Sequence, residues 1–237
     1  MKIELATVVP GTETPAGDGQ SGAVRCVLAL MDGTRRAAIL KRLDEPAVLA
    51  EAFCALLLNG WGLTVPQPYL VEENNKLVFA SADATYPSLK QRLSIGDVPD
   101  GPLRDALVQA ACHLVAGFPE TPLAIVADEA IDNRDRNLGN ILWDGAQEAW
   151  IDHELALGLA QQLDDVNKLA AMVCTTPSLD AIKSSVIPKW MTLDRSLVGI
   201  AASSLDAHES GKLVTERLNG LGTRLLSRFP MVNDLLS

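Results

Sequence analysis

Hydrophobic periodicity changes character once along this chain, near Tyr86, and that change limits the folds open to it. Before it, apolar residues come in short runs of the kind strands need. Val24 to Leu30 and Ala37 to Lys41 flank Met31-Asp32-Gly33-Thr34, and Asp-Gly between two such runs predicts a hairpin. Met1 to Val9 alternates like a strand, and Tyr69 to Val71 and Leu77 to Ala80 flank an Asn74-Asn75 turn. One helix interrupts them: Asp44-Glu45-Pro46 opens it, Leu49, Phe53, Leu56 and Leu57 mark its apolar side, and Gly60 or Gly62 closes it. After Tyr86 the spacing becomes helical. Leu103 to Phe118 predicts a helix with Leu103, Ala106, Leu107, Ala110, Leu114 and Val115 on its core face, and a second helix covers Leu123 to Ala130. A polar loop then runs into a small hairpin, Ile141 to Trp143 and Ala149 to Ile151, with Asp144-Gly145 at its turn. Further helices are expected near Leu163–Cys174, Leu193–Ser204 and Lys212–Phe229. A mostly β part over residues 1–85 and a mostly helical part over 86–237 make an α+β arrangement of two lobes.

The chain has 237 residues, 48% of them apolar, enough to bury a sizeable core. A formal net charge of −10 repels phosphate backbones and anionic headgroups, so neither nucleic acid nor a membrane surface is an expected partner. The N-terminus lacks the pattern of a secretory signal, and no stretch approaches 18 uninterrupted apolar residues. Cys26, Cys54, Cys112 and Cys174 contain no C-x-x-C pair and read as free, mostly buried thiols of a cytoplasmic protein.

The polar loop, Ile131 to Asn140, carries the most chemistry. Asp135 and Asn140 stand five residues apart, and Asp152 follows at the end of a short strand. Two carboxylates and a carboxamide around one tight hairpin suit Mg²⁺, a hard ion that takes oxygen ligands and keeps several waters. The plainer alternative is a solvated acidic loop with Asp135 paired to Arg134 or Arg136. Lys41 ends an apolar strand, where a lysine either reaches water or meets an anion. Glu51, ten residues on, is placed to face it from the helix. The loop containing Gly17, Gly19 and Gly22 is no Walker A sequence; it is either an ordinary mobile loop or a turn whose backbone approaches phosphate. His113 and His208 read as packed or turn residues. The stripe Val214, Leu218, Leu221, Leu225, Phe229 reads as core.

In order, a glycine-rich loop, a strand lysine, a helix glutamate, D-x-x-x-x-N and a strand-end aspartate match the sequence of parts in protein-kinase-like folds. Asp135-Arg136-Asn137-Leu138-Gly139-Asn140 resembles the D-R-H-x-x-N loop of HipA-like kinases and phosphatidylinositol 3/4-kinases, and Ile151-Asp152-His153 resembles their I-D-[FH] segment. Tyr86-Pro87-Ser88-Leu89 and Val65-Pro66-Gln67-Pro68-Tyr69 look more like the small HipA-like kinase domains. The resemblance covers about Gly17 to Gly158. It implies a two-lobed kinase that transfers the γ-phosphoryl of ATP to a serine or threonine hydroxyl of a protein. Asp135 would orient or deprotonate the hydroxyl, and Asn140 and Asp152 would hold Mg²⁺. Lys41, positioned by Glu51, would contact the α/β-phosphates beneath Gly17, Gly19 and Gly22. Ser81, Ala82 and Asp83 would lie near adenine. Asn137 departs from the resemblance, standing where these families carry histidine. A lipid or small-molecule kinase is the nearest alternative. A pseudokinase-like module acting on a regulatory protein partner is the non-enzymatic one, motivated by the 85 residues that follow Asp152.

Overall fold

The computed structural model describes residues 2–16 and 22–230, so Gly17 and Gly19 lie outside the described residues. The first half runs β1 (Glu4–Val8), β2 (Thr14–Pro15), β3 (Val24–Leu30), β4 (Arg35–Lys41), α1 (Glu45–Trp61), β5 (Pro68–Glu73) and β6 (Lys76–Ala82). The sheet order is β1-β5-β6-β4-β3-β2, and β1 also pairs with β3. That extra pairing closes five strands into a small barrel. β1 runs parallel to β5, and the remaining pairs are antiparallel. Closure leaves β1, β3, β4, β5 and β6 paired on both sides, with β2 alongside β3.

Alternation along each strand decides what fills this barrel. Cys26 and Leu28 of β3, Ala38 and Leu40 of β4, and Val78 and Ala80 of β6 belong to one buried cluster inside it. Mixing such small residues with larger ones suits a narrow barrel. Two turns set the register. Gly33 takes φ +82°, and Asp32 accepts from the Thr34 amide at 2.8 Å. Asn74 and Asn75 take φ +50° and +59°, the left-handed pair that a two-residue hairpin turn requires.

Helix α1 begins at Asp44, whose side chain accepts from the Ala47 amide at 3.1 Å, and ends at Gly62 with φ +94°. It is buried along most of its length, between the outer face of the barrel, where Leu70 and Phe79 meet it, and the helices that follow.

The second half contains α2 (Leu89–Arg92), α3 (Pro102–Gly117), α4 (Thr121–Ala130), a 3₁₀ turn at Leu138–Asn140 and the hairpin β7 (Ile141–Trp143) and β8 (Glu148–Trp150). It continues with α5 (Lys168–Cys174), α6 (Leu179–Met191), α7 (Ser196–Leu205), α8 (His208–Asn219) and α9 (Leu221–Ser227). Every residue of α4 is buried, and this helix forms the centre of the helical core.

Several expectations change. The core face of α3 is Ala111, Cys112, Val115 and Ala116, whereas Leu103, Ala106 and Ala110 are exposed. The first half of α3 projects past its neighbours, so its apolar residues have nothing to bury against. α5 starts at Lys168 rather than Leu163, because Asn167 caps it by accepting from the Ala170 amide. α6 is not expected from the pattern: only Ile182 and Val186 of its thirteen residues are buried, and the helix runs on through Pro188. The last apolar stripe is buried throughout, but it divides at Gly220 into α8 and α9. Gly222 then lies so close to Trp190 that a Cβ there would fall 2.5 Å from Cη2.

These last helices also reach back into the site region. Glu129 of α4 is 2% exposed, and its carboxylate receives Arg228 at 2.9 Å and Arg217 and Arg224 at 3.4 Å.

Candidate active site

Leu40 points into the barrel, so Lys41, one residue on, points out of it toward α1. There it meets Glu51, held two turns into the helix and 2% exposed. The Lys41 ammonium donates to Glu51 Oε1 at 2.6 Å, to Asp152 Oδ1 at 2.5 Å and to Glu154 Oε2 at 3.2 Å. Three donors therefore meet three carboxylates, which is all an ammonium has. Burial alone would lower the Lys41 pKa, but the carboxylates of Glu51, Asp152 and Glu154 outweigh it and raise the value. Burial likewise works to raise Glu51, yet Lys41 and the His153 contact hold its carboxyl down at about 2. Glu51 Oε2 accepts from the His153 amide at 3.0 Å, so one carboxylate fastens both the strand and the post-hairpin segment. Glu154 is raised, chiefly by burial, with Asp152 and Glu51 adding to it and Lys41 opposing.

The polar loop is fixed from beneath by Arg136, which is 1% exposed. Its Nε and one terminal nitrogen donate to Asp128 at 3.0 and 2.9 Å. The other terminal nitrogen donates to the carbonyls of Asn140 and Ile151 at 3.1 and 2.7 Å. His153 Nε2 lies 3.1 Å from the guanidinium, and Trp150 stacks its ring beneath it at 5.5 Å. A second tie joins the same strands, from the Ile151 amide to the Asn140 carbonyl at 3.2 Å. Asn140 and the residues around Asp152 are thus brought side by side.

Carboxamides shape the rest of the loop. Asn133 donates to Asp128 and accepts from the Asp135 amide. Asn137 accepts from the Gly139 amide at 2.8 Å and donates to the Asp135 carbonyl at 3.0 Å. Asparagine at position 137 therefore supplies a local turn that ties the loop to itself. Asn140 Nδ2 also donates to the Asp135 carbonyl, at 3.1 Å, which leaves its Oδ1 as the donor toward a cation.

The Asp135 carboxylate pairs with neither neighbouring arginine. Arg134 goes to Asp132 at 3.0 Å and to the Leu163 carbonyl, Arg136 goes to Asp128, and Asp135 Oδ1 instead accepts from Lys168 at 2.8 Å. The other expected residues belong to the barrel, Ser81 being paired with Ile39 of β4. Ser81 and Asp83 lie at the end of β6 and just beyond it, where Asp83 receives Arg25 at 3.0 Å and the Thr85 amide at 2.8 Å. Gly22 takes φ +61° at the entry to β3.

Sequence reasoning missed Glu154, Lys168 and the depth of Arg136. Glu154 stands two residues past Asp152, whose φ of +69° begins the turn that brings both carboxylates to Lys41. Oxygens of Glu51, Asp152 and Glu154 lie within 4.8 Å of one another, a donor set whose chemistry fits a hard divalent cation.

No family model and no curated protein matches this sequence. Among solved structures, it is similar to the Helicobacter pylori proinflammatory kinase CtkA. The two share a TM-score of 0.53 and 17% identity over 96% of this chain and 98% of that one. The fold is kinase-like. At this identity the likeness is one of fold alone.

Two outcomes follow from this geometry. Arg136→Met should cost about 3–5 kcal/mol, since Asp128 would stay buried without its partner, and urea unfolding against the parent measures it. Glu51 has a folded-state pKa below its ordinary 4.5, so the stability it contributes is present above that value and lost as pH falls toward 2. Acid unfolding of Glu51→Gln should accordingly show a flatter pH dependence across that window.

Proposed function

We propose that this chain is a cytoplasmic HipA-like kinase of two lobes, divided near residue 85, that transfers the γ-phosphoryl of ATP to a serine or threonine hydroxyl of a protein. The observation that carries the reading is the convergence of Lys41, Glu51 and Asp152. These residues lie 10 and 111 positions from Lys41 in sequence, yet both sit on one ammonium. A structural α+β domain has no need of such a cluster, and burying it without use is costly.

In this reading Lys41 binds the α/β-phosphates and Glu51 holds it in place. Asn140 Oδ1 and Asp152 would hold Mg²⁺, with Glu154 beside them. When bound, the ion neutralises phosphate charge and orients the triphosphate. Asp135 orients the acceptor hydroxyl and takes its proton. Gly22 and the loop before it would cover the phosphates, and Ser81 and Asp83 would lie toward adenine. All four cysteines are free, which supports a reducing compartment. The formal charge of −10 supports a protein substrate or regulatory partner over a nucleic acid or lipid headgroup.

Incubation with γ-labelled ATP and Mg²⁺, alone and with cell lysate, should label protein on serine or threonine. Label confined to lipid or to small molecules would overturn the protein-kinase assignment. Asp135→Asn should reduce transfer by about 10²–10⁴-fold while the unfolding curve is preserved, and unchanged turnover would remove Asp135 from the mechanism. In calorimetric titrations, Asp152→Ala should weaken Mg²⁺-dependent ATP binding more than Asn140→Ala, because a carboxylate offers a hard cation more than a carboxamide does. Equal, metal-independent binding in all three proteins would point to a pseudokinase-like module.

A further inference from the structure

The geometry points to Lys168 as a further catalytic residue, one that braces Asp135 and donates to the phosphoryl group during transfer; this rests on the kinase reading above. Lys168 Nζ lies 2.8 Å from Asp135 Oδ1, and no other side chain among the described residues donates to that carboxylate. One oxygen of Asp135 is thereby engaged, leaving Oδ2 to accept the acceptor's proton.

The contact has a fixed base. Lys168 is the first residue of α5, directly after Asn167, which is 3% exposed. Asn167 caps the helix at 2.9 Å and donates to the Ile125 carbonyl of α4 at 3.0 Å. The lysine therefore projects from a point pinned to the most buried helix of the core. Asp135 is pinned as well, through its backbone, by Asn133, Asn137 and Asn140.

The other cations nearby are committed. Arg134 is held by Asp132 and Arg136 by Asp128, while Lys41 is held away from Asp135 by Glu51, Asp152 and Glu154. Lys168 uses one of three donors, and its side chain is 40% exposed beside an Asp135 that is 34% exposed. Both groups thus face the open side, where an acceptor would enter. As the acceptor oxygen bonds to the γ-phosphorus, the bond from that phosphorus to the ADP oxygen breaks with its electron pair remaining on ADP, and the acceptor proton passes to Asp135. The two remaining N–H donors of Lys168 would meet the equatorial oxygens of the group in flight. A cation acting there stabilises transfer more than it stabilises bound ATP.

The test uses the full chain with Mg²⁺ and γ-labelled ATP, water serving as acceptor, and follows released phosphate in the parent, Lys168→Met, Lys168→Arg and Asp135→Asn. Binding of a non-hydrolysable ATP analogue is measured in parallel by calorimetry. Lys168→Met should lower kcat by about 10²–10³-fold with analogue Kd within about threefold of the parent. Lys168→Arg should recover about tenfold or more of that loss, because charge and donors return. A Lys168→Met kcat within about twofold of the parent, with Asp135→Asn inactive, would overturn the role of Lys168 and leave the kinase reading standing. A rise in analogue Kd with unchanged kcat would also overturn it, by assigning the lysine to ground-state binding. Full activity in Asp135→Asn would instead remove the kinase reading itself, and this role with it.

Discussion

A single buried guanidinium governs the geometry of the site. Arg136 answers the Asp128 carboxylate on one edge and two backbone carbonyls, those of Asn140 and Ile151, on the other. Those carbonyls belong to the residues just before β7 and just after β8, so their separation is set by the width of one planar fork. A lysine offers a point charge in place of this fork and could not hold both edges at once. The ring of Trp150 below and His153 beside it complete a pocket that fits this group.

If Arg136 sets the loop, Lys41 joins the loop to the barrel. Through it β4, α1 and the segment after the hairpin meet by charge. Three carboxylates around one ammonium leave an excess of two negative charges when all are ionised, with Glu51 buried and Asp152 and Glu154 reaching toward solvent. Such a pocket favours a divalent cation over a second lysine, since a small ion can touch several oxygens at once. It also sets a direction of change: any further anion approaching Lys41 would meet like charge unless a cation accompanied it.

What could be read in the residue order divides by range. Strands and turns announced themselves, because Asp32-Gly33 and Asn74-Asn75 have local backbone consequences that do not depend on distant partners. Lys41 and Glu51 were legible for a similar reason, since a strand and the helix after it have few ways to face each other. The face of α3 was not legible. Its first half has the apolar spacing of a buried helix, and only the position of its neighbours reveals that Leu103 and Ala110 face water. α6 was hidden by weak amphipathicity and by Pro188. Lys168 carried no signal at all: 33 residues separate it from Asp135, and nothing in the intervening pattern says where α5 will dock. Arg136 was visible as a charge beside Asp135, while its true partner, Asp128, lay on the preceding helix.

The arginines that meet Glu129 impose an order in time as well as in space. Arg217 and Arg228 lie 88 and 99 residues after the carboxylate they neutralise. At about 5–20 residues per second of synthesis, helix α4 waits on the order of 5–20 s for them to emerge. Until then Glu129 has no counter-ion from α8 or α9, and drawing it into an apolar core would strand a charge. The polar loop that begins at Ile131, directly after α4, would therefore close only once the final helices arrive. A nascent chain would acquire its barrel early and its Asp135 loop last, so incomplete chains carry the barrel beside an unfinished helical part.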